Sequence, residues 1–121
     1  MLDTSSLTDL SNQDFRGMDL AQVDFSNSLL DGADFSDSRL EEACFNNSSL
    51  KGANFNRSFI LTLANLTWGK LRKVDFTQAR LHQASFTGAY LEEINLTQAE
   101  IDRAQFHKAQ LIFLILGDPL L

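Results

Sequence analysis

Proline occurs once in the 121 residues, at Pro119, and cysteine once, at Cys44. A lone cysteine excludes an intramolecular disulfide and fits a reducing compartment, and Cys44 reads as an unreactive thiol. Positive charge is also scarce. Ten Lys and Arg stand against sixteen Asp and Glu, a formal net charge of −6, which disfavours direct nucleic-acid binding because that affinity comes from cations on the protein. Long apolar runs are missing as well. The longest, Leu111 to Leu116, is far too short to span a bilayer, and the opening MLDTSSLTDLS has neither the basic nor the apolar region of a secretory signal. These absences point to a cytoplasmic protein without membrane contact.

What is present is a repeat of five residues. Large apolar residues recur at Leu10, Phe15, Leu20, Phe25, Leu30, Phe35, Leu40, Phe45, Leu50, Phe55 and Ile60, then, one residue late, at Leu66, Leu71, Phe76, Leu81, Phe86, Leu91, Leu96, Ile101, Phe106 and Leu111. Two residues before each, a second position is mostly Ala, Ser or Gly, with Thr8, Gln13, Met18, Val23, Val74 and Ile94 as the larger exceptions. A narrow interior slot is implied.

A period of five suits neither regular element: an α-helix drifts by about 140° per repeat and a strand ends on its opposite face. The backbone must therefore turn in every repeat, with two inward positions two apart and three residues left for a corner. Phe alternates with Leu or Ile along the series, with Leu66 and Leu96 standing where Phe is expected, so the number of sides is even. Four sides stack Phe15, Phe35, Phe55 and Phe76 in one ladder and Phe25, Phe45, Phe86 and Phe106 in another. Coils spaced like neighbouring strands make an all-β rod of about five coils, roughly 25 Å long. The alternation stays in phase across the late step, which places a one-residue bulge at 61–63 rather than the loss of a side.

The units ADF, GANF, LANL, GAYL and QASF resemble the A-(D/N)-(L/F)-x-x motif of the pentapeptide-repeat family. The resemblance covers about residues 8–113, and the chain reads as one domain over 1–121. It implies a right-handed quadrilateral β-helix, common in cyanobacteria and other bacteria, in a family whose members mostly have no assigned activity. A minority modulate DNA gyrase by imitating duplex DNA, usually as dimers joined at their C-terminal ends.

Three surfaces carry candidate function. Residues 1–50 hold ten acidic residues against two Arg, net −8, whereas 51–121 are net +2. Asp9, Asp14, Asp19, Asp24 and Asp34 form the acidic surface that DNA mimicry would need, or else serve corner amides as short side chains do. Phe59, Leu61, Leu63 and Trp68 flank the late step and offer an apolar partner patch, unless the bulge folds over them. Ile112, Phe113, Leu114, Ile115 and Leu116 must either fold back as a cap, with Gly117, Asp118 and Pro119 as the turn, or form a dimer interface.

Catalytic signals are thin. His82 and His107 lie more than a coil apart with no cysteine beside them, and neither a Gly-rich phosphate loop nor a Ser/His/Asp spacing occurs. No catalytic residue, metal ligand or cofactor is expected. The reading is a non-catalytic interaction or scaffolding module for a protein partner, with a DNA-mimicking gyrase or topoisomerase modulator as the alternative.

Overall fold

A computed structural model describes residues 8–59 and 64–117. The five-residue step shows first in the backbone. From Asn12 (φ 61°) to Lys108 (φ 59°), the residue two after each described large residue is left-handed. The amide one residue further on closes the corner, as from Ala33 N–H to Leu30 C=O at 3.0 Å and from Ala79 N–H to Phe76 C=O at 2.9 Å. A positive φ at the third of four turn residues, with the first and fourth bonded, is the type II pattern. Gly17, Gly32, Gly52 and Gly88 adopt it without steric cost, whereas Trp68 (φ 59°) does not.

Repeated corners bring the chain back over itself. Asp14 bridges Asp34, Asp19 bridges Arg39, Asp24 bridges Cys44 and Leu29 bridges Ser49, each partner lying 20 residues on. Four five-residue sides therefore close one turn, and like sides stack. Where pairing lengthens, short strands result: β1 (Thr8–Asp9), β2 (Ser28–Leu29), β3 (Lys70–Arg72), β4 (Tyr90–Glu92), β5 (Ile94–Asn95), β6 (Gln110–Leu111) and β7 (Leu114–Ile115). Every pairing is parallel, in the orders β1-β2, β3-β4-β6 and β5-β7. No helix occurs among the described residues.

The late step resolves through its flanks. Arg39 pairs with Phe59, but Cys44 pairs with Asn65 and Ser49 with Lys70, each one residue later than the rhythm gives. One residue is thus inserted between Phe59 and Asn65 and no side is lost. The expected bulge at 61–63 itself lies outside the described residues, as do Leu61 and Leu63.

Inside, the ladders stand as the alternation predicts. Phe15 stacks on Phe35 and Phe35 on Phe55, both at 4.9 Å, while Phe86 stacks on Phe106 at 5.1 Å. Facing ladders meet edge to face, as between Phe35 and Phe45 at 5.5 Å. These are the offset and T-shaped geometries that aromatic quadrupoles prefer, and each buried ring contributes about 1.5–3 kcal/mol through burial alone. Ala33, Ala43, Ala64, Ala79, Ala84 and Ala89 fill the narrow slot and are fully buried. Where Ser48 takes that slot, its hydroxyl is satisfied internally, Oγ donating to Phe25 C=O at 2.9 Å, whereas the buried Ser58 hydroxyl has no partner among the described residues.

Val74 and Ile94 crowd the narrow slot of one column. Among the described residues their corners lack the closing bond across the turn, and the Ile94 amide donates to Phe113 C=O instead, at 3.0 Å. Leu114 pairs with Ile94 directly above. The segment after Leu111 therefore runs on as a further side of the solenoid. Through Gly117 it does not fold back across the end, because its backbone is already paired in register with β5.

Candidate docking surface

The described residues include eight exposed large apolar side chains, and six of them lie between Ile101 and Leu116. Leu111 is 48% exposed, Phe113 59% and Leu116 65%. Leu111 holds the inward slot of its column, over Leu91, and owes its exposure to the absence of a coil above it among the described residues. Ile112, Phe113 and Ile115 join it along the edge, while Leu114 packs against the core. A hollow of about 490 Å³ opens beside them, lined by Leu96, Ala99, Ile101 and Leu116. An apolar patch next to an unpaired strand edge is the physical profile of an interface.

The flanks of the inserted residue do not bring their aromatics together. Phe59 stacks in the column of Arg39 and is half-buried, with the Arg80 guanidinium 4.8 Å from its ring centroid. Trp68 lies beyond the next side, where its amide donates to Thr87 C=O at 2.9 Å. Its ring is 56% exposed and lies against Gly88, where a Cβ would come within 2.5 Å of it. Phe59 and Trp68 are thus two separate features. The Arg80 contact escaped the sequence reading, although counting columns across the inserted residue would have found it.

The five aspartates are spread around the rod. Asp9, Asp14, Asp19 and Asp24 take one side each of the first coil, and Asp34 stacks above Asp14. Each accepts the amide two residues on, as in Ser11 N–H to Asp9 Oδ1 at 3.0 Å and Ser36 N–H to Asp34 Oδ1 at 2.9 Å. Asn54, Asn65 and Asn95 make the same bond in later coils. The slot therefore selects a short acceptor, charged or not. The Arg16 side chain and then its amide hold the Asp14 carboxyl down to about 2, and the Ser11 and Ser26 donors lower Asp9 and Asp24.

Cations divide into two groups. Arg16, Arg39, Arg57, Arg72 and Arg80 are paired with carboxylates, Arg57 to Asp37 at 2.8 Å and Arg72 to Glu92 at 2.9 Å among them. Lys51, Lys70, Lys73, Arg103 and Lys108 have no ion pair among the described residues. His82 stands between Glu100, at 2.9 Å, and Asp102, at 3.6 Å. Among the described residues no cluster of three or more His, Cys, Asp and Glu suits a metal ion, and no helix is long and apolar enough to cross a membrane.

The family described as pentapeptide repeats matches residues 19–57, 60–98 and 79–112, in eight copies. No curated protein matches the chain. Among solved structures, full-length QnrB1, a plasmid-mediated fluoroquinolone resistance protein, superposes with a TM-score of 0.56 at 16% identity, covering 97% of this chain and 82% of that one. A pentapeptide repeat protein from the Arabidopsis thaliana thylakoid lumen matches at 26% identity and a TM-score of 0.38, over 93% of this chain and 69% of that one. Rfr23 from the cyanobacterium Cyanothece 51142 matches at 15% identity and a TM-score of 0.41, over 91% of each chain. The QnrB1 likeness concerns the fold alone.

Proposed function

The chain belongs to the pentapeptide-repeat family, and from that premise we propose that it is a non-catalytic protein-interaction module that docks a protein partner through its C-terminal edge. The rod proposed is one domain over 1–121, a right-handed quadrilateral β-helix of about five coils, which is the family's known fold. One observation carries the reading: six of the eight exposed large apolar residues described lie on one edge. Pentapeptide-repeat proteins are in general structural or interaction modules, and a prism filled by its own side chains has no deep concavity for chemistry. A photo-crosslinking residue at Phe113 in the producing cell tests the docking reading, with Asn47 on the shaft as the control. Protein adducts at 113 and none at 47 are expected. Equal adducts at both, or none at 113, would end it.

A DNA-mimicking modulator of gyrase or topoisomerase is the second reading, favoured by the net charge of −8 over residues 1–50. A mimic needs a continuous negative stripe and binding that weakens steeply with salt. Replacing Asp9, Asp14, Asp19, Asp24 and Asp34 by Asn keeps the corner bonds and removes the charge. Gyrase inhibition that is present in the parent and lost in this variant is the expected outcome for a mimic. Inhibition that persists, or that neither protein shows, would dismiss it.

A further inference from the structure

Coil boundaries in the shaft repeat one set of backbone bonds among the described residues. The lower coil sends two amides upward: Phe35 N–H donates to Asn54 C=O at 2.7 Å and Asp37 N–H to Asn56 C=O at 3.0 Å. The upper coil returns one, from Asn54 N–H to Ala33 C=O at 3.0 Å. The two edges of the rod are therefore unlike. On the C-terminal edge, the amides of Phe106 and Lys108 and the carbonyl of Ala104 have no backbone partner among the described residues. On the N-terminal edge it is the carbonyls of Asp14, Arg16, Asp19 and Ala21 and the amides of Asp14 and Asp19. One edge is rich in donors and the other in acceptors.

Two C-terminal edges brought together would set donors against donors, and a buried amide without an acceptor is costly. A C-terminal edge laid on an N-terminal edge meets its match, two donors to two acceptors and one in return. The apolar slots agree. Leu10, Phe15 and Leu20 are only partly buried at the N-terminal edge and Met18 is exposed. Setting Asp14 over Gln105, so that the Phe106 and Lys108 amides meet the Asp14 and Arg16 carbonyls, places Phe15 over Phe106 and Leu20 over Leu111, and the first of these repeats the Phe86–Phe106 stack of the shaft at 5.1 Å. Charge adds a third argument. The first coil presents Asp9, Asp14, Asp19 and Asp24 against Arg16 alone, so two such edges repel. The opposite edge bears Arg103 and Lys108, while Glu100 and Asp102 beside them face Arg80 and His82.

We propose that the occupant of the C-terminal edge is the first coil, residues 8–27, of another copy of this chain, so that copies add head to tail and continue the parallel ladders across the junction. The proposal rests on the reading of that edge as a docking surface. A heterologous contact of this kind does not close on itself, so the assembly grows with concentration beyond a dimer.

Sedimentation velocity of the full chain over a range of concentrations tests the proposal with two single-edge variants, Met18→Lys for the N-terminal edge and Leu111→Glu for the C-terminal edge. Both sites are half exposed, and far-UV circular dichroism checks that the fold is retained. The parent is expected to grow with concentration, each variant to stay a monomer alone, and an equimolar mixture to form a one-to-one dimer and nothing larger. If Met18→Lys still dimerises by itself, the contact joins two C-terminal edges and the head-to-tail proposal falls while the docking surface stands. A parent that remains monomeric also overturns the proposal, and crosslinking at Phe113 then judges the docking surface independently of self-association. Should either variant unfold, the triple substitution Asp9→Asn, Asp14→Asn, Asp24→Asn keeps the corner bonds. It is expected to weaken association by about tenfold, and an unchanged association would overturn the proposal.

Discussion

Leu50 and Leu111 occupy the same slot of the same column, yet Leu50 is fully buried and Leu111 is half exposed. Phe55 and Leu116, in the neighbouring column, differ in the same way. In a solenoid each repeat contacts its neighbours along the axis, so burial comes from the coil above and the coil below rather than from the residue. The shaft uses its apolar residues for stability. The C-terminal edge carries the same residue types with nothing above them among the described residues, and they become adhesive.

Truncating the interior should widen that contrast most. Phe45→Ala opens a cavity between stacked and edge-on rings and is expected to lower unfolding free energy by about 3–5 kcal/mol, whereas Leu111→Ala should cost roughly 1 kcal/mol or less. Denaturant titrations of both variants measure the difference, and equal losses would mean that the edge is as well packed as the shaft.

The corners offer a smaller and sharper test. At Gly88 a Cβ would meet the Trp68 ring at 2.5 Å, while at Gly52 it would meet nothing within 4 Å, and both residues have φ +68°. Gly52→Ala should therefore cost only the left-handed strain of about 1–2 kcal/mol. Gly88→Ala should cost more and should displace the indole, which a change in tryptophan emission reports. The same emission from both variants would show that the ring does not rest on Gly88.

Acid should separate the first coil from the later ones. Hydrogen bonds hold the Asp9, Asp14 and Asp24 carboxyls below the ordinary value of 3.8, Asp14 to about 2. A lowered folded-state value means that the stabilisation is fully present above the unfolded value and is lost as pH falls through the folded one. The amide resonances of Ser11, Arg16 and Ser26 should therefore titrate below pH 3.8, that of Arg16 at about 2. Those of Thr67 and Thr97, bonded to Asn65 and Asn95, should stay still. Titration of both sets would show global acid unfolding instead.

The smallest effect belongs to charge alone. Asp9→Asn and Asp24→Asn keep the acceptor that Asn54 and Asn65 supply elsewhere, so thermal melts at pH 7 should place them within about 0.5 kcal/mol of the parent. A larger loss would give these carboxylates a structural role beyond the corner bond.

Much of the architecture was legible because each repeat is a local unit whose inward positions repeat. The Phe ladders, the four sides and the single inserted residue follow from counting apolar positions, and the bridges from Asp14 to Asp34 and from Cys44 to Asn65 place them where the counting does. The same counting could not place outward side chains. It grouped Phe59 with Trp68 because they are close in sequence, yet a chain that turns every five residues sends such neighbours to different sides. Trp68 came to rest on Gly88, 20 residues on, and Phe59 beneath Arg80.

The sequence by itself determined the period, the narrow and wide interior slots and the acidic first half, since each is a property of residues within one or two repeats. Only the tertiary structure decided that the aspartates ring the rod, that the segment after Leu111 continues the solenoid, and that one edge offers donors where the other offers acceptors. The physical reason is that these properties belong to the stacking of coils. A coil's exposed face is defined by the neighbour it lacks, which no single repeat encodes.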